Sequence, residues 1–158
     1  MPVPKINLTD RERKAVVDIL QGTLADEYTL YTKTLNYHWN VESPQFNGLH
    51  NLFEEQYKQL LIFVDDTAER IRALGYRSPG SMKEFLKDTG LKENTTQITA
   101  SAMIKDLLND HEAIIRALRV DLQTCADDHN DMGTNNFLND LLMKHEKIAW
   151  MLRSMASK

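Results

Sequence analysis

The chain has 158 residues, 42% of them hydrophobic and 27% charged, with a formal net charge of −4. That length suits a single domain with a real core, and the composition excludes disordered, fibrous and membrane-spanning classes. The acidic balance argues against a surface that coats nucleic acid, and the single Cys125 precludes an intrachain disulfide and suits a reducing cytosol.

The amino end, MPVPKINLTD, lacks the apolar centre of a secretory signal, so a cytoplasmic location is expected. Residues 1–8 read as a short flexible tail. Thr9-Asp10-Arg11-Glu12 then reads as a capping box opening a helix. Val17, Leu20, Leu24, Tyr28, Tyr31, Leu35 and His38 recur behind it at three- and four-residue steps. Residues 40–47, with Ser43-Pro44, break that pattern. A second helix is predicted over about 48–74, stopping at Gly75.

A long connection over 76–99 follows, with a short helical piece around 82–87. A third helix is predicted over about 100–126, with Met103, Leu107, Ile114, Leu118 and Leu122 inward. The acidic loop 127–133 precedes a fourth helix over about 135–155, with Leu138, Leu141, Ile148 and Leu152 inward. No strand signature or repeat interrupts this order. The reading is all-α: a four-helix bundle of ferritin-like arrangement, with a short extra helix in the long crossover between helices 2 and 3.

The chemistry sits on helix 2 and at the end of helix 1. At about 100° per residue, with His50 as zero, Glu54 falls at roughly 40°, Asp65 at 60° and Glu69 at 100°. The apolar stripe of the same helix (Leu49, Leu52, Phe53, Leu60, Phe63, Ile71, Leu74) lies between roughly 200° and 300°. The ligand-type face also carries Tyr57, Leu61 and Ile62, which water does not favour, so it calls for a partner surface. At about 1.5 Å per residue the His50/Glu54 pair lies roughly 22 Å from Asp65/Glu69, so one chain cannot bring both to one ion. Two copies crossing antiparallel near residues 59 and 60 bring them together twice, with His38 joining from helix 1. Such imidazole–carboxylate sites suit iron, zinc or manganese, and open positions favour iron.

Asn36-Tyr37-His38-Trp39-Asn40-Val41, Leu49-His50, Asp65-Asp66-Thr67-Ala68-Glu69-Arg70-Ile71 and the segment from His145-Glu146-Lys147 to Arg153 resemble the Dps family of mini-ferritins. The resemblance covers nearly the whole chain as one domain, 1–158. It implies a hollow shell of twelve subunits that oxidises Fe²⁺ at two-fold interfaces, commonly with hydrogen peroxide, and stores ferric mineral inside. It assigns His38, His50, Asp65 and Glu69 as ferroxidase ligands, for two irons per site, with zinc as a substitute. Glu54 stands where the family usually has aspartate, which lengthens the arm by one methylene. Trp39 matches an aromatic beside the site that quenches radicals or packs. Asp127 and Asp131, with Asp128, match acidic residues lining three-fold pores, while Asn136 stands where many relatives carry another pore aspartate.

His111 and His145 fall on inward stripes and read as core or junction residues. His129 reads as exposed and Cys125 as a packed thiol. No Glu-x-x-His motif occurs in the sequence, which disfavours a diiron site within one bundle. The alternative function is a nucleoid-associated protein that condenses DNA. The termini offer little for that role: Lys5 among residues 1–8, and Arg153 and Lys158 among the last six. Twelve copies at −4 each carry −48, so phosphate repulsion opposes direct DNA binding.

Overall fold

Thr9 opens the first helix by the expected mechanism. Its hydroxyl accepts from the Glu12 backbone N–H at 3.2 Å, and the Glu12 carboxylate accepts from the Thr9 N–H at 2.7 Å. The computed structural model describes residues 3–156. Residues 1 and 2 of the tail, and the Lys158 counted above, lie outside the described residues. Helix α1 spans Asp10–Asn40, α2 Phe46–Ala73, the short α3 Met82–Asp88, α4 Ala100–Asp127 and α5 Met132–Ala156. Among the described residues there is no strand, and no helix is long and apolar enough to cross a membrane.

Contacts between the ends define the topology. Arg13 near the start of α1 donates to the Leu74 carbonyl at the end of α2, at 3.0 Å. Asn36 near the end of α1 donates to the Asn94 carbonyl just before α4, at 3.2 Å. Asn130 before α5 donates to Glu12, at 2.8 Å. Helices α1 and α5 therefore run one way and α2 and α4 the other, and the crossover travels the full length of the bundle. On its way it is held to α1 by the Tyr28–Phe85 stack at 4.4 Å and by Asp26, which accepts from the Thr89 hydroxyl and the Gly90 N–H.

The inward stripes read from the sequence are the core. Leu20, Leu24, Phe53, Leu60, Leu107 and Leu138 are fully buried. Each such side chain contributes about 1.5–3 kcal/mol relative to exposure. A polar seam joins α1 to α4 near one end. Lys33 Nζ lies 2.5 Å from Asp110 and 3.2 Å from Asp106, and the Tyr37 hydroxyl donates to Asp106.

Three boundaries differ from expectation. Helix α2 starts two residues earlier, because Ser43 and Gln45 turn the chain within a five-residue link. Helix α5 begins at Met132, so Gly133 sits inside the first turn rather than in a loop. The tail is not detached, since Leu8 packs on the core and Pro4 lies against Gly75. Gly75 has φ +93°, and a Cβ there would meet Pro4 Cδ at 2.6 Å. Gly75→Ala is therefore expected to destabilise the fold by about 1–3 kcal/mol through backbone strain and the clash. Chemical denaturation measures it, and an unchanged midpoint would contradict the role given to this turn.

Candidate metal centre

His38 is the last inward-spaced residue of α1, and His50 lies in the second turn of α2. The five-residue link brings their rings into a stack with centroids 3.9 Å apart. His38 Nδ1 lies 2.9 Å from the His50 carbonyl oxygen, and His50 Nδ1 lies 2.9 Å from the His38 carbonyl oxygen. A carbonyl only accepts, so each Nδ1 carries the proton and donates. In the neutral rings this leaves a lone pair on both Nε2 atoms, the tautomer a metal ligand needs. Phe46 stacks on His50 at 5.0 Å, and the Tyr57 ring stands edge-on to His38 at 5.2 Å. His38 is only 8% exposed, so its imidazole is held rather than free to swing.

Glu54 follows one turn after His50. Its carboxylate is held below the usual range by a hydrogen bond from Lys58, by that ammonium's charge, and by His38 and His50. The Glu54–Lys58 ion pair was not expected from the sequence reading, although its i, i+4 spacing signals it. In the single protomer Lys58 occupies the place that a cation would claim. Asp65 and Glu69 lie further along the same helix and are exposed. Among the described residues of one protomer, no three His, Cys, Asp or Glu side chains converge closely enough to hold a metal ion. The structure thus brings His38 and His50 together with Glu54 close by, and leaves Asp65 and Glu69 apart.

The surface around these groups is apolar where a free surface would be polar. Leu61 is 48% exposed, Ile62 57% and Trp39 66%. Exposed apolar side chains interleaved with charged ligand-type residues mark an interaction face.

The acidic turn divides in two. Asp127 and Asp128 are exposed. Asp131 is 3% exposed, and its carboxylate accepts from the Thr134 N–H at 2.9 Å, from the Thr134 hydroxyl at 2.6 Å and from Arg70 at 3.0 Å. Those bonds cap α5 and tie it to α2, so the pore assignment for Asp131 gives way to a structural one. Asn130, with φ 54°, makes the left-handed turn that aims it there. His129 is half-buried rather than exposed, whereas Cys125, His111 and His145 are buried as expected.

Comparison with known proteins fits this geometry. Residues 17–158 match the ferritin-like domain family, the class that the bundle and its crossover define. The chain is 46% identical over 155 residues to a low temperature-induced protein of Nostoc, covering 98% of this chain and 87% of that one. It is 34% identical over 145 residues to DNA protection during starvation protein 2 of Bacillus anthracis, covering 92% and 99%. The Dps crystal structure from Vibrio cholerae, described as a member of a broad superfamily of ferritin-like diiron-carboxylate proteins, superposes with a TM-score of 0.92. It is 30% identical and covers 99% of this chain and 98% of its own. The chain belongs to the Dps family.

Asp131→Ala removes the α5 cap and leaves Arg70 half-buried without that carboxylate. A loss of about 2–3 kcal/mol in unfolding free energy is expected. Thermal or urea unfolding checks it, and a neutral substitution would contradict the capping role given to Asp131.

Proposed function

We propose that this chain is a ferroxidase and iron store, which oxidises Fe²⁺ with hydrogen peroxide at sites shared between subunits and keeps ferric mineral within a hollow dodecamer. The observation that supports it most is the crossed His38–His50 pair, with both Nε2 lone pairs free beside Glu54 on a face that carries Asp65 and Glu69 further along. An antiparallel crossing of two α2 helices, level with residues 59 and 60, sets His50 and Glu54 of one subunit opposite the partner's carboxylate pair, and repeats the arrangement by symmetry. Exposed Leu61 and Ile62 lie at the centre of that crossing and would be covered by it.

Fe²⁺ is the substrate. His38, His50 and Glu54, with a Glu69 from the neighbouring copy, hold the first ion. Asp65 helps to hold a second, more labile ion, and zinc competes for the same donors. Each peroxide takes one electron from each of two Fe²⁺ ions and two protons, and leaves as two waters. Carboxylates favour the ferric product because their attraction scales with its charge. Glu54 must release Lys58 to bind, so the ammonium competes with the metal and moderates affinity. The exposed Asp127 and Asp128 would attract Fe²⁺ where symmetry gathers copies of the turn.

The protection of DNA in the relatives' names is here indirect, through removal of Fe²⁺ and peroxide together. Electrophoretic mobility at physiological salt is expected to show no complex with duplex DNA; a salt-sensitive shift would favour a nucleoid-binding role instead. For the site itself, His38→Ala and Asp65→Ala are expected to slow peroxide-dependent Fe²⁺ oxidation about 10–100-fold while circular dichroism stays native. Unchanged rates in both variants would remove the assignment.

A further inference from the structure

Glu27, His145 and His111 form a line of hydrogen bonds through the centre of the bundle, contributed by α1, α5 and α4. His145 Nε2 lies 2.6 Å from Glu27 Oε1, and His145 Nδ1 lies 2.8 Å from His111 Nδ1. All three side chains are fully buried. The second carboxylate oxygen, Glu27 Oε2, and the far ring nitrogen, His111 Nε2, are buried with no hydrogen-bond partner. A core built only for stability would fill this space with apolar side chains at lower risk, since unsatisfied buried polar atoms are costly.

We infer that this line is an acid-triggered release in the core, which holds at most three imidazole protons and is broken apart by a fourth. The Nδ1–Nδ1 contact sets the limit. With no proton between them two lone pairs face each other, and with two protons two N–H groups collide, so the contact requires one. The fullest state compatible with it has His145 protonated on both nitrogens, donating to the Glu27 carboxylate and to His111 Nδ1, with His111 protonated on Nε2. In that state imidazolium and carboxylate cancel. One more proton makes cations of both facing rings with a single anion between them, in an interior that tolerates no unpaired charge.

The surroundings supply no relief. Helix α2 presents the Phe63 ring to His145 at 5.4 Å, and Lys144, which lies over that same ring at 5.4 Å, is paired with Asp140. Asp110, beside His111 in the chain, is paired with Lys33. Glu112 and Glu146 pair with Arg153 and Arg119 towards the surface. Burial and the neighbouring His145 already hold His111 well below the ordinary imidazole range. In the unfolded chain that ring protonates near pH 6.5. Below that pH the unfolded state binds more protons than the native one, so stability falls as pH falls; above it the effect vanishes.

His111→Gln tests this on the assembled protein. The amide oxygen still accepts from His145 Nδ1 but takes no proton. The variant is expected to be native at neutral pH, with its acid-unfolding midpoint by far-ultraviolet circular dichroism about one pH unit lower than the parent's. An unchanged midpoint would overturn the inference. If the variant does not fold, nitrogen-15 histidine spectra of the parent decide. One proton shared between the two Nδ1 atoms, with no second imidazolium before the unfolding transition, is the expected result. Both rings charging within a native bundle would refute it.

Discussion

Two hydrogen bonds, each from an imidazole to the backbone carbonyl of the other histidine, fasten the end of α1 to the start of α2. They close the link at residues 41–45, stack the rings, and assign the proton on each ring by elementary donor–acceptor logic. A helix hairpin needs something polar at its mouth, because the last carbonyls and first N–H groups of two helices meet there. Here the His38 carbonyl in the last turn of α1 is satisfied by the His50 ring, and both rings keep their Nε2 lone pairs for a ligand. Fold closure and ligand preparation are one piece of geometry.

Helix α2 serves two masters on opposite faces. Its inner stripe, from Leu49 through Phe63 to Ile71, packs the bundle. Its outer face joins carboxylates to exposed Leu61 and Ile62, a combination that neither solvent nor a core satisfies. Within one protomer the donors stay dispersed, and Glu54 is occupied by Lys58. The half-built character of this face is the reason a shared site between copies is the reading that accounts for most of it.

Much of this was legible in the sequence. The 3.6-residue periodicity placed the four long helices and their buried stripes, the Thr9/Glu12 box fixed the first boundary, and the long crossover dictated the order of directions. Less legible were features that depend on tertiary partners. Asp131 read as one acid among several in a loop, because nothing local reveals that Arg70, 61 residues away, turns towards it. Gly133 suggested a loop, yet the cap at Asp131 carries the helix through it. Glu27 was not singled out from the sequence, although it lies three residues after Leu24 on the inward stripe, and its partner His145 is 118 residues distant. Local spacing reports faces; it does not report which faces meet.

Cys125 is fully buried and packed in the core. Burial, with the nearby Asp131 and Asp121 carboxylates, pushes its thiol up to about 12. Oxidants and alkylating reagents attack the thiolate, which at neutral pH is then vanishingly scarce. A protein with its one sulfhydryl so concealed has no surface thiol through which copies would crosslink, and that thiol stays silent under conditions that would modify an exposed cysteine.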